Sequence, residues 1–94
     1  MNVTDNEILD QIREMAGHFL SVREIAYLVK VDFMLLYQDI LLPGSPAHLA
    51  YHEGKTSAKY EIRKKVLQLA KMGSPQAETL AEKYIEEQEL DDNE

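Results

Sequence analysis

Twice the chain halts one helix and starts another with the same device, a glycine in a turn followed by Ser-Pro, at Gly44-Ser45-Pro46 and at Gly73-Ser74-Pro75. Serine accepts an orphan amide at a helix start. Proline suits the first helical position because its fixed φ is already helical and its missing N–H would be unpaired there anyway. Three more starts are legible upstream. Thr4 with Glu7 and Ser21 with Glu24 have the spacing of capping boxes, and Asp32 precedes Phe33 as an N-cap. Five helix starts in 94 residues leave little chain for anything else. Apolar residues recur between the starts at three- and four-residue intervals, and strand-like alternation is missing, so the chain is expected to be all-α.

The first helix is expected over about residues 5 to 18, with Ile8, Leu9, Ile12, Met15, Ala16, Phe19 and Leu20 as its stripe. A short second helix carries Ile25, Ala26, Leu28 and Val29, and a third runs from Phe33 to Leu41. A long fourth helix, about residues 46 to 72, aligns Tyr51, Ala58, Ile62, Val66 and Leu69, with Gly54 expected to loosen or kink its middle. The fifth carries Ala77, Leu80, Ala81, Tyr84 and Ile85. From Glu86 onward the acidic run has too little apolar content to pack. The expected organisation is a tri-helical unit over 1–42, a helical hairpin over 43–86 packed on it within the same domain, and a disordered acidic tail over 87–94.

Charge is distributed unevenly. The net charge is -7, yet residues 1–54 carry three basic and eight acidic side chains, 55–71 carry six and one, and 72–94 carry one and eight. Any contact with a polyanion must rest on the central block. Cysteine is absent, which removes disulfides, thiolate metal sites and cysteine nucleophiles. No stretch approaches the ~20 apolar residues of a membrane span, and the start lacks a signal-peptide pattern, so a cytoplasmic protein is expected.

Residues 21–40 have the spacing of a helix-turn-helix: two short helices meeting at a small residue, Ala26, with Ile25, Val29, Val31, Leu36 and Ile40 on the inner faces. Lys30 stands where many such turns place glycine, and it can adopt the left-handed conformation at a cost of about 1 kcal/mol. The arrangement resembles the N-terminal region of phage terminase small subunits, on Ile25, Ala26, Val31 and Tyr37, then Tyr51, Gly54 and Lys55, then Leu67, Ala70, Gly73 and Ala77. That resemblance implies a DNA-binding, ring-forming component of viral genome packaging. Double-stranded DNA, further copies of the chain and the large terminase subunit would be its partners, in the host cytoplasm.

Two uses of the third helix stay open. As a recognition helix it offers Gln38 as a base reader and Tyr37 for a phosphate or base contact, with Arg23 reaching the backbone from the second helix. As a protein interface it offers Phe33 and Met34, since exposed apolar clusters more often mark protein contacts. Phosphates would be held by Lys55, Lys59, Arg63, Lys64 and Lys65, with Lys71 at the end of the same helix. The alternative to DNA packaging is a helical protein-interaction module that has lost DNA binding, or a small transcriptional regulator. His48 and His52 are spaced as helical metal ligands, but no third ligand follows at a recognisable spacing and they read as a surface pair. No cofactor or metal is expected. No phosphate loop, nucleophile elbow or carboxylate pair stands out, so an enzyme is not expected.

Overall fold

The computed structural model describes residues 5–92, which form five helices and no strand. They are α1 (Asn6–Gly17), α2 (Val22–Val29), α3 (Phe33–Leu41), α4 (Pro46–Lys71) and α5 (Pro75–Asp92). The chain divides into two compact units, Met1–Lys59 and Tyr60–Glu94. The division falls inside α4, not at the 42/43 boundary expected from the Pro43-Gly44 turn. The reason is that the first two turns of α4 bury Ala47 and Ala50 in the same core as α1, α2 and α3.

Local chemistry accounts for the helix ends of the first unit. Asp5 caps α1 by accepting the Glu7 amide at 2.8 Å, while the Thr4 cap expected from the sequence lies outside the described residues. Ser21 and Glu24 form a complete capping box: the Glu24 amide donates to the Ser21 hydroxyl, and the Ser21 amide donates to the Glu24 carboxylate at 2.9 Å. Hydrogen bonding to the carboxylate, from the Ser21 amide foremost and the Ser21 hydroxyl second, holds the Glu24 carboxyl below its ordinary value of 4.5. Lys30 ends α2 in the left-handed conformation, φ 61° and ψ 44°, with its own amide and that of Val31 both turned onto the Ala26 carbonyl. Phe19 ends α1 at a similar φ of 63°.

The core draws one large residue from each of three helices. Ile12, Ile25 and Leu36 are fully buried, surrounded by Ile8, Ala16, Ala26, Val29 and Ile40. Burying a side chain of this size contributes roughly 1.5–3 kcal/mol, so these three anchor the unit. Against them α4 buries the small residues Ala47, Ala50 and Gly54, with Tyr51 half-buried beside the cluster. Gly54 sits against the α1 backbone, where a Cβ would lie 2.1 Å from the Arg13 carbonyl oxygen. The glycine read from the sequence as a weak point of α4 is instead the place where two helix backbones meet. Arg13 reinforces the crossing by pairing with Glu53 at 3.4 Å and with Asp10 at 2.8 Å.

The α3–α4 junction is held by side chains. The Ser45 hydroxyl donates to the Asp39 carbonyl and accepts the His48 amide at 3.1 Å, and His48 Nδ1 lies 2.7 Å from the Ile40 carbonyl oxygen. The last carbonyls of α3 are thus satisfied from the first turn of α4.

The second unit is a hairpin of the end of α4 and α5. Gly73, at φ 95°, closes α4, and the Ser74 amide reaches back to the Leu69 carbonyl. Ser74 then accepts the Ala77 amide at 3.3 Å to start α5. Ala77 is its buried residue among those described, with Val66, Ala70, Ala81 and Tyr84 half-buried. Helix α5 continues to Asp92, past the point near Glu86 where the sequence reading ended it. The run Glu86 to Asp92 is rich in glutamate with Gln88 and Leu90, residues of high helix propensity that extend a helix already begun without needing to pack.

Candidate nucleic-acid interface

Helix α3 is fixed by Asp32, which accepts the Leu35 amide at 3.2 Å, and by the buried side chains of Leu36 and Ile40. With those two inward, Met34, Leu35, Tyr37, Gln38 and Leu41 face out. Phe33 is half-buried and packs against the core cluster, so it supports the surface from beneath. The Arg23 guanidinium lies 4.1 Å from the centre of the Phe33 ring, and the Tyr37 ring lies 5.5 Å from Phe33 centre to centre, inclined at 59°. Arg23, Phe33 and Tyr37, singled out separately from the sequence, therefore form one contact cluster across α2 and α3. A guanidinium over a ring face can still offer N–H groups to an acceptor. Tyr27, Lys30 and Asp32 line the shallow groove beside it.

The outer face of α3 is mostly apolar. Met34 is 58% exposed and Leu35 62%, and Gln38 is the one amide among them. Leu35, Leu41 and Leu42, all exposed, were not singled out from the sequence. The signal was present: Phe33-Met34-Leu35-Leu36 is an unbroken apolar run, and at about 100° per residue no helix can turn all four inward.

The basic residues divide between the units. In the first, Lys55 and Lys59 are exposed one turn apart, with Lys55 Nζ 5.1 Å from the Tyr51 ring centre. In the second, Lys64, Lys65 and Lys71 are exposed, and Lys64 and Lys65 border a shallow groove with Glu61, Ile62 and Gln68. Among the described residues none of these lysines makes an ion pair. Arg63 behaves differently. It is half-buried, pairs with Glu87 at 2.7 Å and lies 4.2 Å from the centre of the Tyr84 ring, so it ties α4 to α5. As a phosphate contact it would first have to leave that pair.

His48 and His52 lie near the start of α4 with Lys55 on the following turn. Partial desolvation, then the neighbouring His48 and Lys55, lower the proton affinity of His52 below that of an ordinary histidine. No group of three or more metal-ligating side chains occurs among the described residues, and none of their helices is long and apolar enough to cross a membrane.

Comparison of the chain with protein-family models, with curated proteins and with solved structures gives no match.

Proposed function

We propose that this protein binds duplex DNA through exposed lysines of α4, in a packaging role like that of phage terminase small subunits. The observation that carries the reading is the set of Lys55, Lys59, Lys64 and Lys65, all exposed on α4 and none paired to a carboxylate among the described residues. Unpaired lysines on a helix surface hold phosphates without reading sequence. The α2–turn–α3 segment supports the same reading, since its left-handed Lys30 and buried Ala26 are the features a helix-turn-helix requires. Within it, Gln38 is the base reader, and Arg23 and Tyr37 contact the backbone. Several copies of the chain would multiply the weak contacts of one, and the large terminase subunit is the partner the role requires.

Four phosphate contacts per chain give a salt slope of about -3.6, an affinity loss of roughly 150-fold between 50 and 200 mM salt. Fluorescence anisotropy with a labelled duplex measures it. Lys64→Glu combined with Lys65→Glu lowers the affinity at every salt concentration and flattens the slope by about 1.8. Absence of binding at ~50 mM salt, or binding indifferent to salt, overturns the reading.

A second reading rests on the apolar outer face of α3. In a protein-interaction module, Met34, Leu35 and Tyr37 would seat a protein partner or a second copy. Leu35→Asp tests it better than a change at Phe33, which packs on the core. The module reading expects Leu35→Asp to abolish association with folding intact. An association state unchanged by it counts against that reading.

A further inference from the structure

The two histidines of α4 are arranged more specifically than their sequence spacing requires. The centres of the His48 and His52 rings are 4.4 Å apart, with the ring planes inclined at 54°. His48 is half-buried, and its Nδ1 faces the Ile40 carbonyl oxygen at 2.7 Å. A carbonyl can only accept, so Nδ1 carries the hydrogen, and in the neutral ring Nε2 then keeps its lone pair. Metal-ligating histidines are oriented in this way, by a hydrogen bond from the nitrogen that does not bind the metal. His52 is exposed one turn further on, with Tyr51 edge-on to its ring at 5.3 Å.

The separation of the rings is within the range for two imidazoles bound to one ion. With a metal–nitrogen bond of about 2.0 Å, a metal lies roughly 3.2 Å from the centre of each imidazole it binds. Two such rings at a right angle about the metal have centres about 4.5 Å apart, and at the tetrahedral angle about 5.2 Å. The observed 4.4 Å lies nearer the right-angle value. The groove beside the pair is lined by Arg13, Leu49, Glu53, Thr56 and Ser57. Its one guanidinium does not oppose a cation strongly, because Asp10 and Glu53 both pair with it.

We propose that His48 and His52 form an exchangeable two-histidine site for a late first-row divalent cation, Cu(II) foremost and Ni(II) next, with water in the remaining positions. The order follows from imidazole ligation and the general ranking of these metals. His48 already holds the end of α3, so an occupied site stiffens the first turns of α4 where they receive α3.

Calorimetric titration of the full chain with Cu(II), Ni(II), Zn(II) and Mg(II), together with thermal unfolding, tests the site. The expected order is Cu(II) tightest, then Ni(II) and Zn(II), with no binding of Mg(II) and a midpoint that rises as metal is added. His52→Ala removes an exposed side chain and is expected to weaken Cu(II) by about tenfold or more with the fold intact. The electron paramagnetic resonance spectrum of the Cu(II) complex is expected to show two nitrogen ligands in the native chain and one in His52→Ala. His48→Gln lowers the affinity further, while His18→Ala leaves it unchanged. Cu(II) affinity that is indifferent to His52→Ala, or that follows His18, overturns the proposal.

Discussion

Replacing Gly54 by alanine should destabilise the first unit, although the same change in an exposed helix interior stabilises by about 1 kcal/mol. The added Cβ would sit 2.1 Å from the Arg13 carbonyl oxygen, 2.9 Å from the Arg13 carbonyl carbon and 3.1 Å from its Cα. All three are backbone atoms, so no rotamer change relieves the clash. Ordinary contact begins near 3.4 Å, which obliges α4 and α1 to separate by about 1.3 Å at the crossing. A gap of that size forfeits a quarter to a half or more of the attraction between atoms lining it, here Ala16, Ala47 and Ala50. Overpacking of this kind costs about 1–3 kcal/mol and more where the backbone cannot yield; set against the propensity gain, the net loss is about 2 kcal/mol. For a unit of this size that is a fall of roughly 8–16 °C in Tm. Circular dichroism at the helix band and scanning calorimetry measure it. Gly17→Ala supplies the graded control, because its Cβ would meet the Gly54 carbonyl oxygen at 3.3 Å, a contact that a shift of a few tenths of an ångström relieves. A Gly54→Ala protein that melts at or above the wild-type temperature would refute the reasoning.

Three further predictions concern the same unit. Lys30→Gly removes a left-handed strain of about 1–2 kcal/mol and adds unfolded-state entropy of roughly 0.5–1, so a gain of about 0.5–1 kcal/mol is expected, and a lower Tm would contradict it. Leu36→Ala, at a fully buried site, is expected to cost about 2–5 kcal/mol in chemical denaturation; a loss below about 1 would mean that α3 does not anchor the core. Glu24 has a depressed carboxyl, so its stabilising contribution is full above the ordinary value of 4.5 and disappears as pH falls through the lower folded-state value. Glu24→Gln keeps an acceptor for the Ser21 amide but cannot titrate. Its stability should fall less than the wild type's below about pH 4.5, and identical acid profiles would show that the capping box does not set this slope.

Most helix starts were legible in the sequence because capping is a local event: Ser21, Asp32, Ser45 and Ser74 each bind an amide two or three residues away. The left-handed turn at Lys30 was legible for the same reason. What was not legible depended on distant partners. Gly54 read as a weakness of α4 because nothing near it in the chain shows that Arg13 lies above it. Arg63 stood in the basic block either as a phosphate contact or as a partner of the acids of the fifth helix, and only the fold shows that Glu87, 24 residues on, occupies its guanidinium. Helix α5 runs further than packing alone predicts, because propensity carries a helix already started.

The way α3 is held has a consequence for change over time. Its placement depends on Leu36 and Ile40 beneath it, on Asp32 before it, and on Ser45 and His48 after it. None of these five side chains is among the outward-facing residues at 34, 35, 37, 38 and 41. The outer surface can therefore be rewritten, by mutation or by a combinatorial library, while the scaffold beneath keeps its geometry. A lineage built on this unit can change the chemistry of that face without passing through an unfolded intermediate sequence.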